Sequence, residues 1–130
     1  MSPSADDLVA AARGHIARVE PGELAEFVGG DGLVVDIRPA AQRAEEGEFP
    51  GALVIERNVL EWRLDPAGAH RIPEVSGFDQ PVVVICSEGY ASSLAAASLA
   101  ELGLRRVGDL TGGYRAWARW SGEVTDEPGG

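Results

Sequence analysis

Cys86 is the only cysteine in the chain. It follows the apolar run Val82-Val83-Val84-Ile85 and precedes Ser87-Glu88-Gly89-Tyr90-Ala91-Ser92-Ser93 and an alanine-rich stretch. The order strand, cysteine, short glycine-containing turn, helix places a thiol at the mouth of a ring of backbone N–H groups. The first turn of a helix has N–H donors without intrahelical partners and carries the positive end of the macrodipole. Both favour negative charge, so they stabilise a thiolate or an anion bound beside it. A cysteine in that position can be a nucleophile, whereas one in mid-strand is a small inert hydrophobe. Asp36 and Arg38 read as an ion pair that ties a second strand end to a neighbouring loop, supporting the site without reacting. The two histidines, His15 and His70, lie far from each other and from Cys86, with no ligand-type spacing. No metal site is expected, and no organic cofactor is implied.

The elements that must position this thiol can be read along the chain. Ser4 caps a helix to Arg13, with acidic residues in its first turn and Gly14 at its end. Ile16–Val19 is a short strand. Pro21-Gly22-Glu23 opens a helix, Leu24–Val28, stopped by Gly29-Gly30. Leu33–Ile37 is a buried strand, and Pro39 starts a helix through Glu46 that Gly47 closes. Ala52–Ile55 is a third short strand, and Asn58 is placed to cap a helical turn around Leu60–Leu64. Residues 65–80 read as loop. Val82–Ile85 is a strand, Ala91–Leu102 a helix ended by Gly103, and Arg106–Leu110 the last strand. Gly112-Gly113 leads into a helix, Tyr114–Trp120. Strands alternate with helices, and those beginning near 33, 82 and 107 are apolar throughout. This pattern predicts an α/β fold: a central, mainly parallel sheet of about five strands with helices on both faces. In such sheets ligands bind beyond the carboxyl ends of the strands, where Cys86 stands.

The chain has 130 residues, enough for one domain, and a formal net charge of −10. That charge argues against nucleic acid and anionic membranes as partners. No run approaches the ~20 apolar residues that span a bilayer. The start lacks the basic and apolar regions of a secretory signal. A single cysteine forms no internal disulfide and suits a reducing cytoplasm. The expected organisation is an N-terminal helix or extension over 1–15, a folded domain over 16–120 and a flexible tail over 121–130.

Four segments together resemble a single-domain rhodanese, a sulfurtransferase-type fold. They are Val35-Asp36-Ile37-Arg38, Glu45 through Ala52, Val82 through Ser92, and Leu110-Thr111-Gly112-Gly113-Tyr114-Arg115-Ala116-Trp117. The resemblance implies that Cys86 takes sulfane sulfur from a small donor or a persulfidated protein, becomes a persulfide, and passes the sulfur to a thiol or to cyanide. It implies a persulfide-binding loop made of Ser87, Glu88, Gly89, Tyr90, Ala91 and Ser92. A binding, regulatory or redox-sensing module on the same fold is the competing reading. Oligomeric state carries no sequence signal.

The chain departs from the family pattern at Ala91, where active members often carry arginine, and Glu88 adds a negative charge to the loop. Both changes disfavour a dianion such as thiosulfate, so an organic or protein persulfide is the expected donor. Arg38, Arg57, Arg63 and Arg71 are the candidates to supply the missing guanidinium. Glu48 replaces the histidine expected before Phe49. Phosphatases of this fold resemblance have a loop one residue longer that ends in arginine. Here Ser92 stands at that place, which argues against phosphoryl transfer. Tyr90 either lines the pocket or shields the loop. Trp62 borders the site or lies outside it, and Trp117 and Trp120 are core or rim.

Overall fold

The computed structural model describes residues 2–122; of the expected flexible tail, residues 123–130 lie outside the described residues. Five strands form one sheet, with every pairing parallel, in the order β1-β5-β4-β2-β3. They are β1 (Ala17–Val19), β2 (Leu33–Asp36), β3 (Leu53–Val54), β4 (Val82–Ile85) and β5 (Val107–Leu110). Six helices connect and cover them: α1 (Ala5–Arg13), α2 (Leu24–Val28), α3 (Ala40–Glu46), α4 (Leu60–Leu64), α5 (Ala91–Leu102) and α6 (Gly113–Ser121).

The sheet is covered on both faces, which is why β4 is apolar at every position. Val82 and Val84 point into a core with Leu60, Leu64, Ala95 and Leu99 of α4 and α5. Val83 and Ile85 point into a second core with Leu24, Tyr114 and Ala118 of α2 and α6. A strand buried on both sides cannot alternate apolar and polar residues. α1 lies against α5. Ser4 and Asp7 form a reciprocal capping box at its start. Gly103 ends α5, its N–H returning to the carbonyls of Leu99 and Ala100.

Chain order reverses at the middle of the sheet. β2 and β3 run to one edge; the chain then returns to β4 beside β2 and continues outward through β5. The carboxyl ends of β2 and β4 flank this switch point, and Cys86 follows β4 directly.

Three local readings differ. Asn58 caps nothing: α4 is entered through a 3-10 turn, Arg57–Val59, whose own backbone bonds satisfy the entry, and Val59 stands at the cap. α6 runs on to Ser121, one residue into the expected tail. β5 also carries a charge in the core, since Asp109 is 0 % exposed. Among the described residues no helix is long and apolar enough to cross a membrane.

Gly108 sets the spacing of β1 and β5. A Cβ there would lie 2.5 Å from the Ala17 carbonyl oxygen. Gly108→Ala is expected to lower stability by about 1–3 kcal/mol, the range for overpacking, read as a lower urea midpoint. An unchanged midpoint would mean that β1 gives way freely and contributes little.

Candidate active site

Cys86 leaves β4 at its carboxyl end and is 8 % exposed. Its Sγ accepts from the Gly89 N–H at 3.2 Å and the Ser92 N–H at 3.3 Å. Ser92 is the second residue of α5, and no side chain of the residue at the helix cap performs the capping. The sulfur therefore occupies the place where a capping serine or aspartate oxygen normally receives that N–H. Two N–H groups and a twelve-residue helix start are aimed at one sulfur atom, an arrangement that solvates negative charge.

The loop is held in this shape from below. The first N–H groups of α6 bind its outer carbonyls: Tyr114 N–H to Cys86 O at 2.8 Å and Arg115 N–H to Ser87 O at 3.1 Å. With those carbonyls turned outward, the N–H groups further along the loop turn in. The contact is too close for a side chain at Gly113, where a Cβ would lie 2.5 Å from Cys86 O and 2.6 Å from Glu88 N. Gly89 has φ +89°, a conformation available at little cost only to glycine, and its Cβ would meet Gly112 N at 2.8 Å.

One flank of the loop rests on a buried ionic cluster. Arg38 grips Asp36 with Nε and Nη2, at 3.1 and 2.7 Å, and reaches Glu46 at 3.1 Å and Gly47 O at 2.9 Å. Its guanidinium lies 4.1 Å from the centroid of the Tyr114 ring. Glu46 continues outward to Ser87 Oγ at 2.9 Å and Arg115 Nε at 3.0 Å. Gln42 Oε1 also lies within reach of Ser87, at 2.8 Å. Asp36 and Arg38 thus connect the end of β2 to the end of α3, and Glu46 extends that brace to the loop. Burial alone pushes the Glu46 carboxyl up. Hydrogen bonds from Ser87, Arg38 and Arg115, with the Arg115 charge, outweigh burial and hold it below the ordinary 4.5.

The other flank rests on Asp109. Its Oδ2 accepts from Ser92 Oγ at 2.8 Å and from Ser93 Oγ at 2.7 Å, and its Oδ1 accepts from Arg18 Nε at 2.7 Å. The Cys86 S–H donates to Ser92 Oγ at 3.2 Å. Arg13, from α1, donates to Ser93 Oγ at 3.0 Å and to Gly89 O at 2.8 Å, and stacks 5.4 Å from the centroid of Tyr90. Sequence reasoning passed over Asp109, Arg13 and Arg18, and it gave Glu46 and Arg115 no role at the site although both fall in segments that carry the resemblance. Asp109 did carry a signal, a lone carboxylate inside an otherwise apolar strand. The arginines carried none, because only tertiary packing brings them to the loop.

The four arginines offered as replacements for a loop guanidinium are engaged elsewhere. Arg38 is buried in its cluster, Arg57 pairs with Glu61, and Arg63 and Arg71 donate to the carbonyls of His70 and Pro66. Ala91 is exposed, as is Glu88. Tyr90 is 56 % exposed and shields Arg13; Trp62 and Trp120 are also exposed, while Trp117 packs against Phe49. Glu48 is exposed and paired with Arg43. Beside Arg38, on the carboxyl edge of β2 and β3, a cleft of about 440 Å³ opens, lined in part by Arg43, Arg57 and Asn58.

Comparison with known proteins supports this picture. The Rhodanese-like domain profile matches residues 20–119. A sulfurtransferase of Allochromatium vinosum is 38% identical over 89 residues, spanning 68% of this chain and 74% of that protein. The thiosulfate sulfurtransferase GlpE of Pseudoalteromonas translucida is 33% identical over 88 residues, spanning 67% of this chain and 73% of that protein. Among solved structures, a protein of unknown function from Rhodopseudomonas palustris, described as a possible tyrosine phosphatase, superposes with a TM-score of 0.80 at 27% identity. That match covers 94% of this chain and 93% of the other.

The Glu46 brace makes a pH-dependent contribution to stability. A carboxyl held below its unfolded value stabilises the fold fully above that value, and the contribution fades as pH falls through the folded value. Urea melts of wild type and Glu46→Gln are expected to differ by a constant amount near neutrality. The gap should narrow as pH drops below about 4.5. A gap unchanged down to the acid transition would show that the brace does not depend on the Glu46 charge.

Proposed function

The chain belongs to the rhodanese-like domain family, and from that premise we propose that it is a sulfurtransferase carrying sulfane sulfur as a persulfide on Cys86. The observation that carries the reading is the pair of N–H groups, from Gly89 and Ser92, converging on Sγ at the carboxyl end of the central strand. A purely structural cysteine has no use for such donors.

The Cys86 thiolate attacks the outer sulfur of a persulfide donor. A new S–S bond forms, the donor's own S–S bond breaks, and its electron pair leaves on the inner sulfur as a thiolate. An acceptor thiolate or cyanide then attacks the outer sulfur of the Cys86 persulfide, and the electron pair returns to Sγ. No general base is needed when the thiolate is already formed. The loop N–H groups take up whatever charge rests on the sulfur.

The loop surroundings favour an organic or protein persulfide over thiosulfate. A dianion needs cationic donors where its oxygens sit. Ala91 contributes none, Glu88 opposes it, and Arg13 is bonded to Gly89 O and Ser93. The cleft beside Arg38 offers room for the body of an organic donor, and its Arg43 and Arg57 are already paired with Glu48 and Glu61. Phosphoryl transfer is disfavoured on the same grounds: Ser92 stands where a phosphatase loop would close with arginine, and it is bonded to the Asp109 carboxylate.

Intact mass spectrometry after incubation with a low-molecular-weight persulfide should find one added sulfur on wild type and none on Cys86→Ser. Cyanide or a thiol should discharge it. No gain from either a small persulfide or thiosulfate would count against small-donor transfer and favour a binding module. Ala91→Arg is expected to raise the rate of loading from thiosulfate by about tenfold, the value of one charge-assisted hydrogen bond. An unchanged rate would place the barrier to thiosulfate elsewhere than Ala91.

A further inference from the structure

Ser92 has one hydroxyl hydrogen and two neighbours that compete for it. Asp109 Oδ2 lies 2.8 Å from Ser92 Oγ, and Cys86 Sγ lies 3.2 Å from the same oxygen. Ser92, Ser93 and Asp109 are 0 % exposed and Cys86 8 %. Burial to that degree leaves the choice of partner to the side chains themselves. While Cys86 is a thiol, every proton has a place: S–H donates to Ser92 Oγ, and the Ser92 hydroxyl donates to Asp109. When the sulfur loses its proton, the same orientation points an oxygen lone pair at a thiolate. The hydroxyl must then turn.

We infer that Asp109 is a positioning residue for Cys86: it holds the Ser92 hydroxyl while the sulfur is neutral and releases it to the thiolate. Release is tolerated because Asp109 keeps two other donors, Ser93 Oγ at 2.7 Å and Arg18 Nε at 2.7 Å. Ser93 Oγ favours Asp109 Oδ2, at 2.7 Å, over its alternative acceptor, Gly89 O, at 3.3 Å, a carbonyl that already accepts from Arg13 at 2.8 Å. Resting on the sulfurtransferase reading, the hydroxyl turns twice per cycle. It moves to Asp109 once negative charge has passed from Sγ to the outer sulfur of the persulfide. It returns to Sγ as the departing acceptor persulfide leaves the thiolate behind. Asp109 thereby competes with the thiolate for one proton, and Ser93 with Arg13 weakens its claim.

The other charged groups around the loop sit on separate elements. Arg18 of β1 and Arg13 of α1 lie behind Asp109 and Ser93. The Asp36–Arg38–Glu46 cluster and Arg115 of α6 lie under Ser87, and Glu88 is exposed in the loop. None of them contacts the Ser92 hydroxyl through a hydrogen bond.

The test is the pH dependence of Cys86 alkylation by iodoacetamide, which the single cysteine makes unambiguous. Wild type and Ser92→Ala are compared, each alone and combined with Asp109→Asn or with Ser93→Ala, and every variant is checked for folding by circular dichroism. Asp109→Asn is expected to move the alkylation midpoint down by about half a pH unit, about threefold in rate at a fixed pH below it. Ser93→Ala should move it up, because Asp109 then holds Ser92 more firmly. Neither change should move the midpoint in a Ser92→Ala background. An equal downward shift in that background would mean that the carboxylate acts through space, and the inference would be overturned. So would no shift in either background. If the Asp109 variants unfold, Ser93→Ala with and without Ser92→Ala decides alone: an upward shift that disappears in the Ser92→Ala background supports the inference, and any other result sinks it. The assay uses no sulfur donor, so a protein that shifts as expected but never gains sulfur would keep this inference and lose the sulfurtransferase reading.

Discussion

The loop after β4 must present N–H groups to a sulfur atom while its carbonyls go somewhere else. Every inward N–H implies an outward C=O close by, and a buried carbonyl without a partner is costly. The start of α6 meets that need, because a helix N-terminus has N–H groups to spare. Tyr114 and Arg115 donate to the carbonyls of Cys86 and Ser87. The same exchange occurs in reverse at α5, where the Cys86 sulfur receives the Ser92 N–H. One helix start therefore fixes the loop and a second charges its centre. The close approach this requires explains the absence of a side chain at Gly113, whose Cβ would enter the loop backbone.

Two carboxylates stand on either flank of this loop, and neither faces the sulfur directly. Glu46 is reached through Ser87 and Asp109 through Ser92 and Ser93, with serine hydroxyls as the spacers in each case. Each carboxylate is also met by arginine: Arg38 and Arg115 at Glu46, Arg18 at Asp109. Taking a charge out of water is costly unless it is paired and hydrogen-bonded, and breaking such a pair leaves an uncompensated charge. The pairs therefore act as braces. They allow a chain of net charge −10 to keep acidic side chains near Cys86 without hydrogen-bonding them to the sulfur. At physiological salt, charges beyond ~8 Å are largely screened, so the immediate donors govern the sulfur more than the global field does.

The sheet and the thiol were legible because they rest on local pattern. Val82 through Ile85 is apolar on both faces, Gly103 and Gly47 end helices, and Cys86 sits at a strand–turn–helix junction. Asn58 misled because a 3-10 turn satisfied the backbone that a cap would otherwise serve. The arginines misled for a different reason. Arg38, Arg57, Arg63 and Arg71 stand on separate turns and helix ends, and each finds an acceptor of its own. Arg13 reaches the loop from 76 residues away, through packing of α1 on α5. Nothing in the residues around Arg13 encodes that meeting.

Arg13 also bears on what the N-terminal helix is for. Read from sequence, residues 1–15 form an extension to the domain. In the fold, α1 buries Val9 and Ala12 and delivers a guanidinium to Gly89 O, the carbonyl of the residue whose N–H points at Cys86. A cation bonded to that residue's carbonyl polarises the loop whose N–H groups face the sulfur. The position at Ala91 is empty of charge, yet the loop is not without a guanidinium. It is held behind the loop, where it supports the loop's dipoles and Ser93, instead of in front, where it would grip a dianion. A site built this way keeps electrostatic support for the sulfur while giving up a handle for small oxyanions. Under the proposed sulfur transfer, that division suits a donor recognised by its organic body over one recognised by its charge.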